Sequence, residues 1–284
     1  ILCVWFLLPS VAIIMSHMPI AIIIFVCLIM LQLIDVCIFF LQAEDGIRVL
    51  VRSRGLGVVY KSQALEPWFL ISSILLFVVG MYSGLFVAPP DDEMGDAFRI
   101  IYFHVPSAYV SMMAYVCMAI AAIIGLIWRS NVAFSFAKSC APIGASFTFL
   151  ALVTGMLWGK PMWGTAWVWD ARLTSELILL FLYLAYMLLH LSIPDRVKAD
   201  RSASLLAIVG VVNIPIIHYS VVWWNTLHQA STISKFAKPS IATEMLWPLI
   251  IMILAYNLLF AAFLLKRTAA EIAAREKRTK WIQT

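Results

Sequence analysis

The sequence predicts an all-α, polytopic integral membrane protein, with six transmembrane helices from about residue 66 onward and a tryptophan-rich outer loop. Three observations predict it. Of the 284 residues, 63% are hydrophobic and only 12% charged, against roughly 45–50% and 25% in ordinary soluble domains. The mean hydropathy is +0.97. Third, the apolar residues gather into stretches of about 20, the length that crosses a hydrocarbon core. This composition excludes a soluble enzyme, a disordered tail and a nucleic-acid-binding domain, and it makes membrane lipid the first partner.

The six expected spans are Trp68–Ala88, Phe103–Trp128, Ser135–Leu157, Leu173–Leu191, Ser204–Val222 and Met245–Leu265. None alternates with period two over the length of a barrel strand, so a transmembrane β-barrel is disfavoured. Lys and Arg in the connecting segments set the orientation. One side carries Arg129, Lys138, Arg196, Lys198, Arg201 and the tail residues Lys266, Arg267, Arg275, Lys277, Arg278 and Lys280, eleven in all. The other carries Arg99, Lys160, Arg172, Lys235 and Lys238, which is five. The first side is therefore expected to be cytoplasmic, with the C-terminus inside and residues 267–284 forming a basic tail. The acidic cluster Asp91, Asp92, Glu93 and Asp96 then falls outside. The net charge of +5 is explained by this bias without invoking an anionic partner.

The N-terminal part does not fit the pattern. The chain starts at Ile1, and residues 1–42 add one or two apolar stretches with no evident purpose. Gln42–Gln63 mixes charge and glycine without helical or strand periodicity, and it resembles a translated sequencing-adapter read-through. Residues 1 to about 63 are accordingly expected not to belong to the native protein. The alternative is a real hairpin followed by a basic linker. The functional unit is expected over residues 66–266. The five cysteines (Cys3, Cys27, Cys37, Cys117 and Cys140) lie in or beside apolar stretches without a CxxC pair and read as small buried hydrophobes.

The third and fourth spans are joined by a segment holding four tryptophans, Trp158, Trp163, Trp167 and Trp169, within twelve residues. Gly159, Pro161 and Gly164 are expected to break any regular helix there. An aromatic belt at the membrane interface would explain one or two of these tryptophans. Four in one loop suit a flat apolar platform for a planar ligand, each ring offering a large rigid surface and one N–H. Trp163, Trp167 and Trp169 share parity and would face one way on an extended segment.

Two histidines fall on the same side. His104 opens the second span in RIIYFHVP, and His228 lies in WWNTLHQ after the fifth. Each alone reads as a surface or hydrogen-bonded residue. Two beside a tryptophan platform suit axial ligation of a haem iron. His218, within the fifth span, is a second-layer or substitute candidate. His190 reads as structural, and His17 lies in the doubtful N-terminus. Arg99 and Arg172 flank the same region, where a guanidinium could pair with a ligand carboxylate. Surface pairs Asp96–Arg99 and Asp170–Arg172 are the competing reading. Glu176, inside the fourth span, needs a partner, and Arg172 four residues earlier is the nearest in sequence. No P-loop, dinucleotide fingerprint or HExxH is present, so ATP hydrolysis is not expected.

The segments RIIYFHVPSA, APIGASFTFLALVTGMLWGKPMWGTAWVWDARLTSELILLFLY and GVVNIPIIHYSVVWWNTLHQAST closely resemble CcmC, the haem exporter protein C family of cytochrome c maturation System I. The WGxxWxWD element also marks a wider family of haem-handling membrane proteins, the WWD-domain proteins, and the flanking RLTSELILL and NTLHQ narrow the match. The resemblance runs from about Glu66 into the sixth span. It implies a six-span bacterial inner-membrane protein that holds haem b, non-covalently and transiently, at the periplasmic face.

The resemblance assigns the haem-binding loop to Trp163, Gly164, Trp167, Trp169 and Asp170, and the iron ligands to His104 and His228. It also implies delivery of haem to the chaperone CcmE with the help of CcmD, and release of charged CcmE by the CcmA–CcmB ATP-binding cassette complex. That is haem transfer rather than conventional enzymology. Two positions depart from the family pattern. Ala166 stands where many relatives carry a further Trp, and Val222 where an acidic residue is frequent. Two alternatives come from other classes: a bis-histidine haem electron carrier, and a haem transporter with a route through the spans. The spans show no continuous polar path in sequence beyond isolated Asn213, His218 and Glu176, and Pro215 is the main candidate for a helix break.

Overall fold

Three helices start on polar caps and one ends on a glycine, and the helices outrun the apolar stretches that identify them. The computed structural model describes residues 56–228 and 241–283, with side chains over 64–228 and 241–276. Most of the doubtful N-terminal segment, with His17, Cys3, Cys27 and Cys37, lies outside the described residues. So do Lys235 and Lys238 and the side chains of Lys277, Arg278 and Lys280.

Helix α1 spans Leu56–Tyr82 and runs on through a π-helical turn, Ser83–Val87. It starts inside the segment read as lacking helical periodicity. A turn closed by an Asp91–Gly95 bridge follows, with Asp91 Oδ1 accepting from the backbone N–H groups of Glu93 and Met94. A short 3-10 turn, Asp96–Ile100, leads into α2, Ile101–Trp128.

Ser130 caps α3, Asn131–Trp163, and Gly164 ends it at φ +74°. That left-handed conformation suits glycine. The helix therefore passes through Gly159 and Pro161, which the sequence reading places as breaks. The Asp170 carboxylate accepts from Leu173 N–H at 2.8 Å and starts α4, Ala171–Ser192. Asp195 does the same for α5, Arg196–Gly210, through Lys198 N–H at 2.9 Å.

The expected fifth span is two helices. α5 stops at Gly210 and α6, Asn213–Trp223, begins after Val211–Val212. Pro215 lacks the N–H that would bridge this gap. Asn213 ties the new start to α4 by donating to the Ser175 carbonyl at 2.9 Å. The final helix α7, Thr243–Gln283, is one continuous rod. The basic tail is therefore the end of the last span's helix.

Six helical stretches, Ala64–Val87, Asp96–Trp128, Asn131–Trp163, Ala171–Ser192, Arg196–Trp223 and Thr243–Glu276, are long and apolar enough to cross a membrane. They match the six expected spans one for one. Among the described residues there is no named strand, and the chain is a multi-pass all-α membrane protein.

α3 is the central helix. It packs on α2, α4 and α7, and α1 lies along α7 at the edge. Ala137, Cys140, Ala141 and Ala151 on α3 are buried, as are Val110, Ala114 and Ala122 on α2. Small residues let backbones approach, which substitutes for a hydrophobic drive in lipid. Gly144 is the clearest case, since a Cβ there would collide with the fully buried Tyr183 ring of α4. Ile71, Ile74, Leu75, Val78 and Val79 on α1 are exposed, as a lipid-facing flank requires. Ser73 hydroxyl bonds the Ala255 carbonyl at 2.8 Å and pins α1 to α7.

Candidate functional site

The site lies where the start of α2, the end of α3, the start of α4 and the segment after α6 converge. His104 sits in the first turn of α2. Its Nδ1 lies 3.0 Å from the Ala151 carbonyl and 3.1 Å from Thr154 Oγ1, both on α3. A carbonyl only accepts. Nδ1 therefore carries the proton, and Nε2 keeps its lone pair.

His228 follows α6 in a non-helical segment. Its ring centroid stands 6.0 Å from that of His104, with the ring planes 33° apart. Trp158 and Trp163, from the last two turns of α3, flank it at 6.1 and 6.2 Å. These two indoles meet each other at 5.4 Å and 60°. His104, Trp158, Trp163, Arg172, Glu176 and His228 line one cleft with about 480 Å³ of empty space, its open mouth included.

The tryptophans do not form one flat platform. Trp163 is helical, so its parity with Trp167 and Trp169 does not put it on their face. Trp158 and Trp163 make a tilted pair inside the cleft. Trp167 and Trp169, on the extended stretch before Asp170, meet edge to face at 5.3 Å and 77°. Trp169 is 75% exposed. Gly164 is the helix stop, and its carbonyl accepts from Lys160 Nζ at 3.3 Å.

Arg172 reaches the cleft while Nη1 donates to the Ile217 carbonyl at 3.0 Å. Arg99 is placed elsewhere. It pairs with Asp96 at 2.9 Å, and Nη1 donates to the carbonyls of Gly84 at 2.8 Å and Ala88 at 3.0 Å. Those carbonyls belong to the end of α1, where a cation also complements the helix dipole. His218 packs on Tyr219 and does not line the cleft.

The sequence reading underrated two residues. Trp158 appeared only as one of four tryptophans, yet it is buried at the cleft wall. Glu176, also buried, takes its hydrogen bond from Ser111 of α2 at 2.9 Å rather than from Arg172. Thr154 and Gly155 were missed outright. They are small residues in an apolar span, and only the packing of α2 on α3 gives them a role.

Three buried polar atoms at this end have no protein partner: the indole nitrogens of Trp158 and Trp167, and Asp170 Oδ2. Among the described residues, no group of three or more His, Cys, Asp or Glu is placed to hold a metal ion. Two facing imidazoles suit a metal that arrives with its own equatorial ligands. At 6.0 Å between ring centres, His104 and His228 are the residues that would hold such a metal.

The family description "Heme exporter protein C" matches residues 57–283. Among curated relatives, Heme exporter protein C of Escherichia coli strain K12 is 51% identical over 217 residues, 76% of this chain and 87% of that protein. The Haemophilus influenzae protein of the same name is 48% identical over 219 residues, 77% of this chain and 89% of its own length. A putative cytochrome c biosynthesis ccmC-like mitochondrial protein of Marchantia polymorpha is 44% identical over 201 residues, 71% of this chain and 82% of its own. The matched region contains every helix that builds the cleft, and on that match the chain belongs to the haem exporter protein C family, CcmC.

Proposed function

We propose that the chain binds haem b in the cleft, with His104 and His228 as axial ligands, and delivers it to the haem chaperone CcmE during cytochrome c maturation. The observation that carries this reading is the histidine pair, 6.0 Å apart in a tryptophan-walled cleft. Trp158 and Trp163 supply apolar surface and exclude water. Arg172 offers a guanidinium to a propionate. The Trp167 and Trp158 N–H groups are donors still to be used, and Asp170 Oδ2 is an acceptor.

Bound haem would supply an iron whose two axial positions are both filled by histidine, leaving none open to oxygen. The chain's own part is to bind, orient and release. CcmD and the CcmA–CcmB complex are the proposed partners for transfer, consistent with the lack of an ATPase motif here. The functional unit is residues 66–266, in the bacterial inner membrane. The Lys/Arg bias supports a periplasmic cleft and a cytoplasmic α7 end.

The test is the absorption spectrum of the purified chain co-expressed with CcmE, beside His104→Ala and His228→Ala. Loss or change of the haem spectrum in both variants, together with loss of covalent haem on CcmE, is expected. Unaltered haem in both would overturn the ligand assignment. The interrupted α5–α6 span is the kind of feature found at transport sites. Haem movement into liposomes by this chain alone would move the reading toward a transporter.

A further inference from the structure

The two histidines of the cleft are held by different means. His228 stands in an irregular segment against two indole rings. His104 is fastened from outside its own helix by one turn of α3. Three residues of that turn act on it: Ala151 presents its carbonyl to Nδ1 at 3.0 Å, Thr154 presents Oγ1 at 3.1 Å, and Gly155 presents no side chain at all.

Thr154 is fully buried. Its hydroxyl proton goes to the Leu150 carbonyl at 2.7 Å, which leaves its oxygen lone pairs for the imidazole. The Nδ1–H is thus shared between two acceptors on one helix. Gly155 lines the cleft, and a Cβ there would lie 3.1 Å from His104 Cε1 and 3.6 Å from Nδ1. Any side chain at that position presses on the ring at the edge between the anchored nitrogen and the free one. The same turn therefore anchors Nδ1 by hydrogen bonds and leaves the ring the clearance it needs.

We propose that Thr154, acting with the Ala151 carbonyl and the bare backbone of Gly155, is a positioning residue that fixes the His104 imidazole in its Nδ1–H form with Nε2 turned to the cleft, making His104 the standing ligand of the bound metal centre. This rests on the reading of His104 as an iron ligand. The chemistry is general. A ligating histidine is oriented by the hydrogen bond its other nitrogen makes, and that bond strengthens it as a donor. A stronger donor favours ferric over ferrous iron. Losing the Thr154 acceptor should therefore raise the midpoint potential of the bound haem.

The experiment uses the full chain loaded with haem b in detergent, comparing Thr154→Val, Thr154→Ser, Gly155→Ala and His104→Ala. Thr154→Val should raise the midpoint potential and weaken haem binding by roughly 10-fold, the low end for an outer-shell partner. Thr154→Ser should restore both. Gly155→Ala should weaken binding by about 10- to 100-fold with helical content unchanged. In the haem-free chain, NMR of labelled histidine should report the Nδ1–H tautomer for His104, kept in Thr154→Val by the Ala151 carbonyl.

Wild-type potential and affinity in Thr154→Val, or an Nε2–H tautomer of His104 in the haem-free chain, alongside lost haem in His104→Ala, would overturn this proposal and leave the ligand reading intact. Retained haem in His104→Ala would instead remove the ligand reading beneath it. Should Thr154→Val not fold, Gly155→Ala decides: wild-type haem affinity there overturns the cradle.

Discussion

The two ends of the helix bundle differ in how they hold buried charge. Away from the cleft, α3, α5 and α7 are joined by charges paired almost to completion. Arg275 grips both oxygens of Asp200 at 2.8 and 2.9 Å and Glu271 at 3.1 Å. Lys138 reaches Glu271 at 2.7 Å, and Arg196 approaches it at 3.8 Å. Asp200, Glu271 and Arg275 are all buried. His190 Nδ1 lies 3.9 Å from Asp200, and its Nε2, Ser204 Oγ and Thr268 Oγ1 are buried without a hydrogen-bond partner.

At the cleft end, two indole N–H groups and a carboxylate oxygen are buried without a protein partner, and two imidazoles stand 6.0 Å apart. A charge in a low-dielectric interior is tolerable only when paired and hydrogen-bonded. The paired charges read as structure. The cleft end carries the proposed site, where a bound ligand would meet its polar groups.

The sharpest way to break this comparison is to unpair the buried charges. Arg275→Met leaves Asp200 and Glu271 without their shared cation and should cost about 3–5 kcal/mol of stability. The drop would be seen in the thermal midpoint in detergent, with the haem spectrum of the folded fraction unchanged. An altered spectrum would show that the two ends are coupled.

Arg99→Gln comes next. It should cost roughly 1.5–3 kcal/mol through lost charge-assisted bonds to the end of α1. Haem affinity should not move, and a fall in affinity at constant stability would instead put Arg99 on the ligand.

The smaller effects contrast the two tryptophan pairs. Trp163→Ala should weaken haem binding by about tenfold, or about 1.4 kcal/mol. Exposed Trp169→Ala should change stability by no more than about 0.5 kcal/mol and leave haem affinity nearly as it is. Equal losses at both positions, measured by haem titration, would restore the single-platform picture.

The fifth span shows what a one-dimensional reading misses. Hydropathy over Ser204–Val222 is continuous, so the stretch reads as one helix with a proline. In three dimensions the chain interrupts at Val211–Val212, and Asn213 bonds across to Ser175. The α3 terminus shows the reverse error. Gly159 and Pro161 look like breaks, yet the helix runs to Trp163 because packing and hydrogen bonds beyond each residue outweigh local propensity. Glu176 was visible as a buried carboxyl in need of a partner. That the partner is Ser111, on another helix, was not visible at all.

By itself the sequence determined the class of molecule, the number and order of its spans, and the side chains with unusual chemistry: His104, His228, the tryptophans and Arg172. These follow from composition and from patterns within single helices, where the cost of exposing polar backbone to lipid leaves almost no alternative to a helix. Only the tertiary structure decided which of those side chains meet. It brought His228 to within 6.0 Å of His104, drew Trp158 into the cleft and turned Arg99 toward the end of α1. It also gave two unremarked residues, Thr154 and Gly155, a histidine to hold. Those outcomes depend on how helices distant in sequence pack side against side, and no local pattern of residues encodes that.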